Sequence, residues 1–284
     1  MSNNFIQNST LRWLGLTALR TRARVDCFRS GPRVFVNSLP KSGTHLLTAM
    51  LALREELKHS YLHIPTVAVN KFLHDQDFEL DHPRMSKYVR SVRQGQFFSS
   101  HLPYANDVVS LMDDAQIKIV NVIRDPRDIL LSRLHYVKGL KRHRLHNYIL
   151  NECSNDKERM ERFIFGARDG EKVDGLVPYN LTLQSFKGWM DDPSVLTLKY
   201  EDLVGEKGGS TRSGQASAYH KLFDHIGLPL DEKGFDELSQ ATGQTRTPTL
   251  RKGKIGGWKT QLDPELQKLL KTQLSDYLSY MHYE

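Results

Sequence analysis

Hydrophobic and polar positions follow two patterns that take turns along the chain. Short apolar or β-branched runs ending at polar turns predict strands at residues 33–37, 96–99, 117–123 and 195–200. Longer runs with apolar positions at helical spacing predict helices at residues 44–58, 126–136, 179–189, 216–226 and 264–280. Strands alternating with helices are typical of a parallel sheet covered by crossover helices. The pattern therefore predicts an α/β fold: a single three-layer αβα domain around a mostly parallel central sheet.

The domain organisation follows from length and from the absence of internal boundaries in the sequence. A chain of 284 residues can form one large α/β domain or two small ones. Because we see no repeat and no composition shift, we expect one domain over residues 31–284, preceded by a helical extension at residues 1–30. Two stretches rich in polar residues, 138–162 and 205–215, are expected to be irregular loops.

The composition excludes some classes of protein, but it does not identify the binding partner. The net charge of +7 suits nucleic acid, an anionic membrane surface or a polyanionic small molecule. Two cysteines outside any Cys-x-x-Cys pattern indicate neither a disulfide framework nor a metal site. The partly apolar run at residues 11–19 is interrupted by Arg12, and it is far shorter than the roughly 20 apolar residues that span a bilayer. We therefore expect a cytoplasmic protein without a membrane span.

The most informative stretch is a strand, a short turn and a helix at residues 34–47. An apolar strand runs into Pro-Lys-Ser-Gly-Thr, and a helix pattern begins at Thr44. Backbone N–H groups and the positive end of the helix dipole attract anions at such a junction, and Lys41 adds a cation. A nucleotide-binding P-loop would need Gly-Lys-Ser/Thr, whereas Lys41 precedes Gly43 and that tripeptide is absent from the chain. The pattern predicts a P-loop-like site for a phosphate or sulfate group.

A second candidate anion site follows the strand predicted at residues 117–123. Arg124 lies at the carboxyl end of that strand, where open α/β sheets bind ligands, and Ser132 follows eight residues later. An arginine fork and a hydroxyl suit a phosphate monoester. The alternative is a surface ion-pair network of the flanking Asp125, Arg127 and Asp128.

A third candidate is the run Arg-Lys-Gly-Lys-Ile-Gly-Gly-Trp-Lys at residues 251–259. The adjacent cations Arg251 and Lys252, with the backbone N–H of Gly253, can converge on one phosphate. The alternatives are a solvated basic loop or a nucleic-acid patch.

His101 is the candidate general base. It follows the strand predicted at residues 96–99 and stands in the sequence Ser-Ser-His-Leu-Pro, again at the ligand-binding edge. A lone histidine is more often structural than catalytic, so the position becomes informative only beside the other motifs.

Taken in order from about residue 33 to residue 259, these motifs resemble those of the PAPS-dependent sulfotransferases of the cytosolic type, and in particular a bacterial small-molecule sulfotransferase. PAPS is 3′-phosphoadenosine 5′-phosphosulfate, and PAP is its desulfated product. The resemblance implies that the 5′-phosphosulfate binds Lys41, Ser42, Gly43, Thr44 and His45. It implies that the 3′-phosphate binds Arg124, Ser132, Arg251, Lys252 and Gly253. It also places Tyr200 and, more weakly, Thr242 near the adenine, and it implies a catalytic set of His101, Lys41 and Ser132 without a metal.

The chain departs from the family pattern at several positions. Leu46 replaces the tryptophan that usually stacks on adenine, and Gly257 replaces an aspartate. Ser99 and Ser100 replace the lysine and threonine that usually precede the base, which removes one positive charge. The run at residues 259–268 lacks the family's dimer motif, so the oligomeric state stays open.

The sequence predicts transfer of a sulfuryl group from PAPS to a hydroxyl or amine of a small-molecule acceptor by in-line displacement. The acceptor pocket is expected from residues 102–106, parts of 135–174 and residues 205–215. Alternatives are a carbohydrate sulfotransferase, a P-loop kinase or a nucleic-acid-binding protein. A kinase would need a recognisable magnesium-binding acidic residue, and nucleic-acid binding would leave the segments around Lys41 and His101 unexplained.

Overall fold

The structure is a computed structural model that describes residues 17–21, 30–71, 78–244 and 253–283. Its centre is a five-stranded sheet of order β2-β3-β1-β4-β5 in which every neighbouring pair is parallel. The strands are β1 Arg33–Ser38, β2 Lys58–Ile64, β3 Gln96–Ser100, β4 Ile117–Ile123 and β5 Val195–Lys199. The predicted α/β fold with a mostly parallel sheet is therefore confirmed.

Apart from the helical residues 17–21, which precede β1, the helices of the described residues fill the connections between and after the strands. In chain order they are Thr44–Leu51, His82–Ser91, Asn106–Asp114, Pro126–Gly139, His146–Asn151, Asp156–Phe165, Tyr179–Phe186, Gly188–Asp191, Tyr200–Leu203, Arg212–His225, Glu232–Gln244, Trp258–Gln261, Pro264–Gln273 and Ser275–Tyr280. Six of them begin at a side chain that accepts a backbone N–H of the first turn, which satisfies one orphan donor. These caps are Asp81, Asp125, Asn155, Thr211, Asp231 and Asp263.

The three inner strands are buried on both faces. In β1 every side chain after Arg33 is buried, β3 is buried throughout, and in β4 only Lys118 is exposed. Strands buried on both faces need cover on both sides, as in the predicted three-layer arrangement. Phe35 stacks on Phe98 at a centroid distance of 5.0 Å, which fills the space between neighbouring strands.

The chain divides into two compact units. The first comprises Met1–Ile123 and Gly188–Lys254 and contains the whole sheet. The second comprises Arg124–Lys187 and Ile255–Glu284, and its described residues form helices and connecting turns. Among the described residues, no helix has the length and apolar character needed to cross a membrane.

Several sequence-based boundaries were wrong. The helix expected over residues 44–58 ends at Leu51, and Lys58–Ile64 is β2, an unpredicted edge strand. Its polar sequence Lys-His-Ser-Tyr-Leu-His-Ile lacks the apolar run of a buried strand, and polar character is common at exposed sheet edges. The helix expected over residues 264–280 is interrupted at Leu274, which belongs to neither of the two shorter helices.

The segments expected to be irregular are largely helical. Residues 138–162 include His146–Asn151 and most of Asp156–Phe165, and the helix Arg212–His225 begins inside the stretch 205–215. Side-chain caps and buried apolar positions such as Ile149 and Met160 offset the polar composition. Of the expected extension at residues 1–30, residues 17–21 are helical and the remainder, except residue 30, lies outside the described part.

Asn37 joins β1 to the segment that follows β3. It is fully buried, its Nδ2 donates to the Leu102 carbonyl at 3.0 Å, and its Oδ1 accepts the Leu102 N–H at 2.9 Å. The Trp189 indole donates to the same carbonyl at 2.9 Å. Both polar atoms of one buried amide are therefore used to fix the chain directly after His101.

We expect Asn37→Ala to lower the free energy of unfolding by about 1–3 kcal/mol, because the buried Leu102 N–H loses its acceptor. Urea unfolding followed by circular dichroism measures this change. Asn151→Ala, on the exposed end of a helix, is the matched control and should stay within about 0.5 kcal/mol of the parent. Equal stability of the two variants would contradict the structural role of Asn37.

Candidate active site

The loop at residues 39–43, between β1 and the helix Thr44–Leu51, has an unusual backbone. Lys41 has φ 77° and Gly43, the residue before the helix, has φ 115°. A Cβ on Gly43 would lie 2.5 Å from the Tyr200 ring, so only glycine permits this approach. The structure therefore brings Tyr200 against the predicted 5′-phosphosulfate loop.

The hydroxyl groups of this loop fit an anionic ligand. Ser42 is completely buried, and its Oγ has no hydrogen-bond partner among the described residues. Leaving a buried hydroxyl unsatisfied costs about 1–3 kcal/mol, which a ligand oxygen would offset. The first N–H groups of the helix lack partners within it and carry the positive end of its dipole. Ser42, Gly43, Thr44 and His45 thus lie at a helix N-terminus suited to a sulfate or phosphate group.

His101 is held in one tautomer. It lies directly after β3, and its Nδ1 is 2.7 Å from the Ser38 carbonyl oxygen. Because a carbonyl oxygen can only accept, Nδ1 carries the hydrogen and Nε2 keeps the lone pair. The Thr66 hydroxyl donates to the His101 carbonyl at 2.8 Å and fixes the backbone. The ring therefore presents the nitrogen that a general base needs.

The environment of His101 keeps the ring neutral. Burial lowers the pKa of His101 to about 3, and the neighbouring His63, His45 and Lys41 act in the same direction, although the bond to Ser38 opposes them. His101 as a whole residue is partly exposed. A neutral imidazole keeps a lone pair that can accept a proton at physiological pH.

Ser38 connects this base to the loop. Its carbonyl binds His101, and its hydroxyl lies 2.5 Å from the hydroxyl of Thr44, the first residue of the helix. Sequence reasoning missed Ser38, because a serine at the end of a strand carries no signal of its own. The described His, Cys, Asp and Glu side chains form no group of three that could bind a metal ion.

The second unit contains Arg124 and Ser132. Arg124 is largely buried, and its Nη2 lies 3.8 Å from Asp128 Oδ2. Asp128 also accepts the backbone N–H groups of Gly256 and Trp258 at 2.7 and 3.0 Å. Burial raises the pKa of Asp128, and Arg124 and these hydrogen bonds oppose that rise. Ser132 is partly exposed, two helical turns further on.

The ion-pair network that was the alternative for this segment is buried and does not lie on the surface. Arg127 contacts Asp125 through Nε and Nη2 at 2.9 and 2.8 Å, and only 2% of its surface is exposed. The Trp258 indole donates to Asp125 at 3.1 Å, and the Arg127 guanidinium lies 4.0 Å from its ring centroid. These contacts hold the segment around Trp258 against the start of the helix Pro126–Gly139.

The remaining candidates are placed as follows. Thr242 is buried in the helix Glu232–Gln244 beside the Tyr219 hydroxyl. Gly253 is described, with φ 63°, and its carbonyl lies close to Gly208. Arg251 and Lys252 lie outside the described residues.

A family model described as "Sulfotransferase domain" matches residues 31–215. The chain belongs to this sulfotransferase family. The expectation of a PAPS-dependent sulfotransferase is thereby confirmed at the level of the family, and the kinase and nucleic-acid alternatives are not favoured.

Relatives and solved structures agree with this assignment. Cytosolic sulfotransferase 3 of Arabidopsis thaliana is 24% identical, with 86% of this chain and 77% of the relative covered. An amine sulfotransferase of Oryctolagus cuniculus is 25% identical, with 86% and 81% covered. A mouse sulfotransferase complexed with PAP has a TM-score of 0.57 at 16% identity, with 93% of this chain and 89% of that chain covered. Retinol dehydratase with androsterone and PAP has a TM-score of 0.52 at 23% identity, with 87% and 80% covered.

We expect the histidine nitrogen NMR spectrum of the free enzyme to show His101 neutral, with hydrogen on Nδ1, throughout pH 5–8. Burial holds its pKa near 3, whereas the unfolded chain takes up this proton near pH 6.5. The free energy of unfolding should consequently fall as the pH falls from about 6.5 towards 3. His101→Gln assigns the resonance, and titration of that resonance near pH 6.5 would contradict the buried tautomer.

Proposed function

We propose that this enzyme transfers the sulfuryl group of PAPS to a hydroxyl or amine of a small molecule and releases PAP. The observation that carries the proposal is the double use of Ser38. One residue holds the base His101 by its carbonyl and contacts the helix start at Thr44 by its hydroxyl. A proton acceptor and an anion-binding loop are thereby kept at a fixed separation within one unit.

The candidate site residues of the first unit have distinct roles in in-line displacement. Nε2 of His101 takes the proton of the substrate hydroxyl or amine while the oxygen or nitrogen of that group forms a bond to sulfur. The bond from sulfur to the oxygen of the 5′-phosphate breaks, and its electron pair leaves with PAP. Lys41 and the backbone N–H groups of Gly43, Thr44 and His45 stabilise the charge on that oxygen, as preorganised donors do, whereas the Ser42 N–H donates to the Leu39 carbonyl at 3.1 Å. Tyr200, which packs against Gly43, contributes an aromatic face near the adenine.

The 3′-phosphate is assigned to Arg124 and Ser132, together with Arg251, Lys252 and Gly253. One support is that Arg124 lies directly after β4. The other is that its side chain is largely buried, because a hydrogen bond from a buried guanidinium to a phosphate oxygen is stronger than one exposed to water. Asp128 aligns the guanidinium from one side. Ser132 serves this phosphate rather than the sulfuryl group.

The acceptor is proposed to be a small cytoplasmic metabolite with a nucleophilic hydroxyl or amine. Relatives include an amine sulfotransferase, and the retinol dehydratase structures contain androsterone or retinol. A carbohydrate acceptor is the second candidate. PAP-stabilised thermal-shift screening with phenols, alcohols, amines and sugars, followed by PAPS turnover on each hit, distinguishes these classes.

His101→Gln should lower kcat by at least about a hundredfold with the best acceptor, because a positioned base contributes about 10²–10⁴-fold. PAP affinity measured by calorimetry should stay within about twofold of the parent. His82→Gln, an exposed histidine of the same unit, is the control and should leave kcat unchanged. Retained turnover in His101→Gln would remove this residue as the base.

Arg124→Ala should weaken PAP binding about ten- to a hundredfold, since a hydrogen bond to a charged group contributes about 1.5–3 kcal/mol. Calorimetry should show a much smaller loss for adenosine 5′-phosphate, which lacks the 3′-phosphate. Arg142→Ala, an exposed arginine of the second unit, controls for net charge. An equal loss for both nucleotides would indicate that Arg124 supports the fold through Asp128 and does not bind the 3′-phosphate.

A further inference from the structure

The edge strand β2 is irregular beside the candidate base. His59 pairs with Phe97 and His63 pairs with Ser99, so four steps along β2 match two steps along β3. Within this bulge Tyr61 has φ 56°, a left-handed conformation that non-glycine residues rarely adopt. Bulges of this kind occur next to active sites, where they redirect a side chain. In a regular strand Tyr61 would pair with Ser99, and the bulge puts His63 there instead.

Specific contacts hold the bulge in this conformation. His59 Nδ1 accepts the Tyr61 N–H at 2.7 Å, and the two rings stack at 4.8 Å. Arg20 Nε donates to the Tyr61 carbonyl at 3.0 Å, and the Ser60 hydroxyl donates to the Phe97 carbonyl at 2.8 Å. Several contacts therefore maintain a strained residue, which is typical of a functional region.

The result of the bulge is a contact between two histidines. The His63 ring lies 4.9 Å from the His101 ring, at an interplanar angle of 66°. Its Nδ1 is 3.0 Å from the Ser99 hydroxyl, so the ring that touches the base is itself anchored. His63 is exposed, at the carboxyl end of the sheet.

We propose that His63 is a positioning residue for sulfuryl transfer, whose ring keeps the His101 imidazole on the Ser38 carbonyl. The inference rests on the proposed function. His101 is thus confined from two sides, by the Ser38 carbonyl at Nδ1 and by the His63 ring on its flank. Loss of the ring frees His101 to rotate, and Nε2 then spends less time facing the acceptor.

Charge on His63 also opposes protonation of His101. The other groups that act on the His101 charge are Lys41 of the loop and His45 of the following helix, and both also lower its pKa. On β2 itself, the pKa of His59 is lowered by burial and, to a smaller extent, by the charges of His45 and His63. Removal of the His63 charge should therefore raise the pKa of His101, with burial, and to a smaller extent His45 and Lys41, still holding that pKa below the ordinary value.

Two substitutions separate ring packing from the other properties of His63. His63→Ala removes the ring, the bond to Ser99 and the charge, whereas His63→Phe retains a ring of similar size. We expect kcat to fall about ten- to a hundredfold in His63→Ala, as for a misplaced catalytic group, with unchanged PAP affinity. His63→Phe should recover most of kcat, and the acid limb of its pH profile should move to higher pH. His82→Ala is the control for an exposed histidine of the same unit.

The proposal is overturned if His63→Ala keeps the parent kcat, or if His63→Phe is as impaired as His63→Ala. A second readout needs no turnover: the Nδ1–H signal of His101 in the free enzyme should persist in the parent and His63→Phe and weaken in His63→Ala. An unchanged signal in His63→Ala also overturns the proposal. If the parent transfers no sulfuryl group, the proposed function fails, and this signal still decides whether His63 positions His101.

Discussion

The candidate site depends on the two hydrogen bonds of Ser38. Its carbonyl fixes the tautomer of His101, and its hydroxyl lies 2.5 Å from the Thr44 hydroxyl at the start of the helix. Ser38 is the last residue of β1, the central strand of the sheet, and is fully buried, so neither bond competes with water. The rigidity of the sheet is therefore transmitted to both the candidate base and the candidate anion-binding loop, and both keep their geometry before any ligand binds.

The surroundings of this junction combine rigid packing with local strain. Asn37 ties the chain after His101 to β1, while Lys41, Gly43 and Tyr61 adopt left-handed backbone conformations. For the two non-glycine residues, Lys41 and Tyr61, this backbone strain costs of the order of 1–3 kcal/mol each and persists only where the neighbouring structure determines it. Here that structure is the buried parallel sheet. Lys41 lies in the loop at residues 39–43, and Tyr61 lies in β2, the strand that contains His63 beside His101.

The second unit contains a buried cation, the guanidinium of Arg127. Asp125, Arg127 and Trp258 form a network of hydrogen bonds and a cation–π contact. The indole N–H donates a further hydrogen bond to the Asp125 carboxylate, which offsets part of the cost of burying the ion pair. A Cβ on Gly257 would lie 3.5 Å from an Asp128 oxygen. An aspartate at that position, usual in the family, would add a second negative charge beside an already buried carboxylate, whereas glycine avoids this repulsion.

The sequence by itself determined the alternation of strands and helices, the position of the candidate anion-binding turn at Lys41–Thr44 and the candidacy of His101, because these depend on residues close together in the chain. It did not determine β2, since an edge strand is defined by pairing with β3 and its polar residues carry no strand pattern. The tautomer of His101 depends on an atom 63 residues away, and the Asp125–Trp258 bond joins residues 133 apart. Only the tertiary structure could decide such contacts, because sheet order and strand register, including the two-residue shift that puts His63 beside Ser99, arise when distant segments pack together.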